Sequence, residues 1–285
     1  MELKKPKRLF TFGCSFTGYK WATWANILGY ELDCEFYNFG ISGAGNSYIT
    51  NTLTQADCYF NFCSDDLVIV CWTNISREDR WIINKGWLTP GNIYSQSEYD
   101  RLFVKKWAND MHFFLDFANI HLVENLLKNK NVPYNFISMC DLHQTSQWES
   151  MQERNYEDPI SKLSRLYQST LDNITHNFYT ELWKNDIHVK FERDKQQIHK
   201  HYCDGHPTPK EHLEFLECAL DYKFSYKTVS SVESLQKDWI DFLKYHYSKT
   251  KRDTPIHELD KSVEKQLRKN YKLRVSDDLS NTIFH

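Results

Sequence analysis

The chain has 285 residues, 41% of them hydrophobic and 15% aromatic, which is enough apolar material for a sizeable core and excludes intrinsic disorder. Its 35 basic and 38 acidic side chains leave a formal charge of −3, so no strong field directs it to nucleic acid or to an anionic membrane. No run of about 18 uncharged apolar residues occurs, and the basic start "MELKKPKRLFTFG" lacks the apolar stretch of a signal peptide, so a soluble, cytoplasmic protein without a membrane span is expected.

Strand character recurs at "RLFTFG" (8–13), "CEFYNFG" (34–40), "DLVIVCW" (66–72), "PYNFISM" (133–139) and "DIHVKFE" (186–192), at intervals too long for hairpins. Helix-compatible stretches such as "WATWANILGYEL" and "FFLDFANIHLVENLLKNK" lie between them. Strands alternating with helices predict a parallel sheet of about five strands covered on both faces, a three-layer α/β/α sandwich. The unbroken apolar run at 67–72 suits a central strand buried on both sides. The Trp- and Tyr-rich segment 80–112 reads as a long excursion before the next helix, either a lid or substrate wall or plain surface packing. At "HPTPKEHLEFLECAL" the local signals for a helix start are strong: Thr208 to cap, Pro209 at the first helical position and Glu211 to complete a capping box. The domain is therefore drawn at 1–228. Residues 229–285 form a C-terminal extension that opens on an amphipathic helix with Leu235, Trp239, Phe242 and Leu243 on one face. That face is expected to dock on its own domain, with self-association as the alternative. Eight scattered cysteines predict reduced thiols rather than a disulfide framework.

In a parallel sheet, ligands sit beyond the carboxyl ends of the strands, so the turns at 13–18, 40–46 and 73–80 matter most. Gly13-Cys14-Ser15 leaves the first strand with two possible nucleophiles, only one of which can face a given loop. The glycines of "NFGISGAGN" allow close backbone approach, so the Gly43 N–H can face developing negative charge; they match neither a dinucleotide fingerprint nor a P-loop. In "CWTNISRED", Asn74 is either a side-chain amide donor or the cap of the next turn. Upstream of the capped helix, "HKHYCDGHP" offers His206 as a base and Asp204 as the carboxylate that would orient it. The same stretch raises a zinc reading through His199, His201, Cys203, Asp204, His206 and His212, but the spacing fits no closed structural motif, and no metal is assigned.

Ser at the first strand end, Gly at the second, Asn at the third and an Asp/His pair before the last helix occur in an order that resembles the SGNH (GDSL-like) hydrolase superfamily. The resemblance spans about residues 8–220. It implies a flavodoxin-like α/β/α fold and selects Ser15 as nucleophile, with Cys14 packed inward in place of the usual Asp. It further implies His206 as base, Asp204 as its partner, and an oxyanion hole from Ser15, Gly43 and Asn74. Asp204 precedes His206 by two residues where three is commoner. The implied activity is that of a serine esterase or deacylase on an O-acyl ester, O-acetyl included, needing no cofactor. The implied substrate is a small molecule or carbohydrate, with Trp72, Arg77 and Trp81 nearest to hand for binding it. Aromatic residues at Trp72, Trp81, Trp87, Tyr94, Tyr99 and Trp107 would suit stacking on sugar rings, although core packing accounts for most aromatics. An acyltransferase using the same machinery and a non-catalytic binding module on the same fold are the alternatives.

Overall fold

The computed structural model describes residues 5–19, 21–93, 99–109, 113–142, 165–184 and 206–250. The expectations placed on the strand at 186–192, on Tyr94, His199, His201, Cys203 and Asp204, and on the side chains of Trp107, Trp239, Phe242 and Leu243 lie outside the described residues.

The predicted strands at the start of the chain form β1 (Arg8–Gly13), β2 (Glu35–Gly40) and β3 (Asp66–Trp72), separated by α1 (Trp24–Leu32) and α2 (Asn46–Phe60). A hairpin follows, β4 (Arg77–Ile82) with β5 (Gly86–Asn92), then α3 (Arg101–Asn109), α4 (Phe113–Asn129) and β6 (Tyr134–Ser138). The described chain continues through α5 (Gln168–Leu171), β7 (Ile174–Asn177), α6 (Phe178–Lys184), α7 (Pro209–Leu220) and α8 (Tyr226–Thr250).

Five strands pair in parallel in the order β2-β1-β3-β6-β7, flanked by helices in the expected three-layer α/β/α arrangement. α1 packs with α7 and α8 on one face, and α2 with α4 on the other. β3 sits at the centre, with Val68 through Trp72 buried, as its unbroken apolar run requires. The core is heavily aromatic: Phe12 stacks on Phe39 across adjacent strands, and Phe178 stacks on Phe215 to seat α6 against α7. Fully burying each such side chain favours folding by roughly 1.5–3 kcal/mol.

The fifth strand is β7, a four-residue segment, "ITHN", with no alternation to announce it. The excursion after β3 is built differently from a bare loop. Its first part is the β4–β5 hairpin, with Trp81 opposite Trp87, and Pro90 is tolerated because the two-stranded sheet is all edge.

Beyond α7 the chain turns directly into α8, which docks on its own domain. Val232 and Leu235 are buried, and the Gln236 side-chain oxygen accepts from the Lys210 N–H at 3.2 Å. Glu31 of α1 accepts from Ser225 N and Oγ, at 3.0 and 2.7 Å, and from Thr228 Oγ at 2.5 Å. These bonds outweigh the burial of its carboxylate and hold its pKa below the ordinary value. Among the described residues, seven cysteines are present and none forms a disulfide. No described helix is long and apolar enough to cross a membrane.

Candidate active site

From β1 the chain passes to β2 on one side and then returns to β3 on the other. This reversal makes the carboxyl edge between β1 and β3 the topological switch point of the sheet, the place where open parallel sheets bind ligands. The register sets Gly13 beside Gly40 and Phe12 beside Val70, so the loops carrying Ser15, Gly43 and Asn74 leave three neighbouring strand ends.

Ser15 occupies a tight turn in which the N–H groups of Thr17 and Gly18 donate to the Cys14 carbonyl at 2.8 and 3.0 Å. The turn is pinned from outside, because the Thr17 carbonyl accepts from Thr23 Oγ1 at 2.6 Å and from the Asn38 amide at 2.8 Å. Glycine is required here for space. A Cβ on Gly13 would come within 2.1 Å of Thr17 Oγ1, and one on Gly18 within 2.1 Å of the Gly40 carbonyl oxygen. Adjacent residues then diverge as expected. Cys14 is fully buried with its sulfur 3.9 Å from Met139 Sδ, whereas Ser15 turns toward the His206 loop.

His206 Nε2 lies 2.7 Å from Ser15 Oγ. The residues are 191 positions apart, and the contact depends on how the His206 loop is anchored. The predicted capping box forms: the Thr208 N–H donates to Glu211 Oε2 at 2.7 Å, and the Glu211 N–H to Thr208 Oγ1 at 3.3 Å. The Trp21 indole N–H donates to the Pro207 carbonyl at 2.9 Å, which ties the loop back to the segment after Ser15. Tyr19 stacks on the His206 ring with centroids 4.0 Å apart and planes 16° from parallel, and Phe16 meets it edge-on. The imidazole is thereby held in one plane. Beneath it, His212 of α7 is fully buried, with no hydrogen-bond partner at Nδ1; burial, assisted by the nearby His206 charge, pushes its pKa down to about 3.

Gly43 has φ +82°, and a Cβ there would meet the Thr89 carbonyl oxygen of β5 at 2.0 Å, so only glycine fits under the hairpin. Asn74 spends its carbonyl oxygen on its own turn, accepting from Ser76 N at 2.8 Å and Ser76 Oγ at 2.6 Å. Its NH2 is left as the donor that can serve a ligand. The turn-cap reading of Asn74 is thus seen directly, and the turn leaves its amide compatible with the donor reading.

The glycine loop and the Asn74 loop are joined by Asn46, which sequence reasoning missed. Its carboxamide oxygen accepts from Thr73 N at 2.9 Å, and its NH2 donates to the Thr73 carbonyl at 3.1 Å and to Asp116 at 3.0 Å. Asp116 is fully buried, and burial raises its pKa well above the usual carboxylate value. Also missed was Asp79 of the hairpin. It accepts from the N–H groups of Gly45 and Tyr48, both at 2.8 Å, and so supplies the N-terminal cap that α2 lacks. Burial lifts the Asp79 pKa to about 6 against the opposing pull of those two N–H groups and Arg77. The terminal "GN" of "NFGISGAGN" was a usable signal for a helix start, but nothing local pointed to a cap reaching in from 31 or more positions away.

The residues expected to meet substrate divide. Trp72 does not qualify: it is fully buried, packed edge-on against Phe136, and offers no face to a ligand. Trp81 is half-exposed on the hairpin, edge-on to Trp87. Arg77 donates to the Ala44 carbonyl at 2.9 Å and lies 3.3 Å from Met139 Sδ, with its buried Nε unpartnered. A guanidinium held by a carbonyl and a thioether keeps capacity for an acceptor on a ligand.

No family model matches the chain, and no curated protein matches it in sequence.

Proposed function

We propose that the protein is a serine esterase or deacylase, working through an acyl-enzyme on Ser15 in the manner of the SGNH hydrolases. The observation that carries this reading is the 2.7 Å contact between Ser15 Oγ and His206 Nε2 at the topological switch point of the sheet. With the imidazole proton on Nδ1, Nε2 accepts the hydroxyl proton as Oγ attacks the acyl carbonyl carbon. Negative charge gathers on the carbonyl oxygen, where the N–H groups of Ser15 and Gly43 and the amide of Asn74 act as donors. Collapse of the tetrahedral intermediate breaks the ester bond, and the imidazolium returns its proton to the departing alcohol. Water, deprotonated by the same nitrogen, then releases the acid and restores Ser15. Asp204 would fix the proton on Nδ1 in this scheme.

Turnover of a small activated aryl ester tests the reading. Ser15→Ala is expected to abolish it while leaving the circular dichroism spectrum unchanged. Equal turnover by Ser15→Ala and the unaltered protein would remove Ser15 from the mechanism.

A further inference from the structure

Away from Ser15, three side chains with metal-binding chemistry converge from three separate elements. His176 stands on β7, the last strand of the sheet; Glu181 lies one turn into α6; Cys218 is in the last turns of α7. His176 Nδ1 is 3.4 Å from Glu181 Oε1, Cys218 Sγ is 3.5 Å from Glu181 Oε2, and the ligand atoms of the three residues all lie within 4.8 Å of one another.

We propose that His176, Glu181 and Cys218 bind a divalent transition metal, zinc being the best match, and clamp the edge of the sheet to the helix that follows His206. Zinc takes imidazole nitrogen and carboxylate oxygen at about 2.1 Å and thiolate sulfur at about 2.3 Å in a tetrahedron. Those bond lengths place ligand N and O about 3.4 Å apart and ligand S and O about 3.6 Å apart. The two spacings present approach these values, one at each oxygen of Glu181, and with one ligand atom taken from each residue the three lie within 4.8 Å of one another, so closing on an ion requires the Glu181 carboxylate to turn one oxygen toward both partners. The mixture of nitrogen, oxygen and sulfur donors is one that zinc accepts and that magnesium or calcium, which seek oxygen alone, do not. Three protein ligands leave a fourth position, and because Cys218 is exposed it opens to solvent.

The frame around the trio is rigid without the metal. Phe178 stacks on Phe215 with centroids 3.6 Å apart, Leu182 is buried, and the Tyr179 N–H donates to the Met139 carbonyl at 3.2 Å. α6 and α7 are thus seated by their core faces, and their outer faces present Glu181 and Cys218 to each other. Binding needs loss of the thiol proton and a side-chain adjustment that draws the three ligand atoms together. The site does not depend on the esterase reading, and its occupancy is measured without reference to turnover.

The test uses the full chain, stripped with a chelator and titrated with Co2+ as the spectroscopic stand-in for zinc. The expected result is one Co2+ per chain, with a thiolate-to-cobalt absorption band and the visible bands of a tetrahedral ion, all lost on adding one equivalent of Zn2+. Cys218→Ser is expected to remove the thiolate band, and His176→Gln and Glu181→Gln to weaken binding. Cys58→Ser and Cys63→Ser, at exposed cysteines elsewhere, are expected to leave the band intact. A titration without a thiolate band overturns the proposal, and so does a band that survives Cys218→Ser and disappears in Cys203→Ser. On the unaltered protein, Zn2+ is expected to protect Cys218 from alkylation in a peptide-mapped experiment; alkylation of Cys218 at the metal-free rate contradicts the site.

Discussion

At the amino ends of the strands, polar side chains are matched with strong partners. Arg8 forks onto Asp66, both bonds 2.7 Å long, where β1 and β3 begin, and Lys130 meets Asp57 at 2.5 Å below α2. At the carboxyl ends of the same strands matched groups, such as Asp79 with the Gly45 and Tyr48 N–H groups, stand beside unmatched ones. Arg77 Nε and His212 Nδ1 are buried without acceptors or donors, glycines crowd two loops, and Ser15 faces an imidazole. Leaving such groups unmatched costs roughly 1–3 kcal/mol each. The amino end carries strong ion pairs, whereas the carboxyl end combines matched pairs with unmatched groups close to Ser15 and His206, which the proposed ester site would use.

That contrast can be broken from either side. The largest effect is expected at the carboxyl end: His206→Ala should lower turnover of an activated ester by roughly 10^3-fold or more, with the midpoint of thermal unfolding moved little. At the amino end the signs exchange. Arg8→Met leaves the buried Asp66 carboxylate without its counter-ion and should cost about 3 kcal/mol in urea unfolding, with turnover per folded molecule unchanged.

His212 gives a pH signature. Its native pKa of about 3 lies below the unfolded value of 6.5, so the unfolded chain binds more protons between those limits and stability declines as pH falls through them. Asp79 has the opposite sign, because its native pKa of about 6 exceeds the unfolded 3.8 and its contribution declines as pH rises across that window. His212→Leu should therefore gain stability relative to the unaltered protein on acidification below pH 6.5, by up to about 1.4 kcal/mol per pH unit, read by urea unfolding at pH 7, 6 and 5. The smallest effect is expected from Asp79→Ala. Loss of the two N–H contacts at the start of α2 should cost about 1 kcal/mol at pH 7 and reduce turnover several-fold, since the Gly43 loop sits under the same hairpin.

Local signals in the sequence were strong at the places where they decided structure. β1, β2, β3 and β6 announce themselves by apolar runs ending in turns, and Thr208, Pro209 and Glu211 mark the start of α7 within a residue. What the sequence concealed is non-local. β7 is too short and polar to register, and "REDRWI" hides a strand behind charge because it is paired only with its own hairpin partner. Ser15 and His206 were legible as candidates through block order, but their contact depends on Trp21 and Tyr19, whose roles follow from packing rather than from spacing. Trp72 illustrates the converse: a tryptophan beside a candidate site reads as a binding residue, and the centre of a parallel sheet buries it.

The central claim is that Ser15 is activated by His206. Intact-mass spectrometry after incubation with a fluorophosphonate tests it most directly. The account predicts one covalent adduct on the unaltered protein, absent from Ser15→Ala and from His206→Ala. A folded protein that takes no adduct, or one that keeps the adduct when Ser15 is replaced, would contradict it.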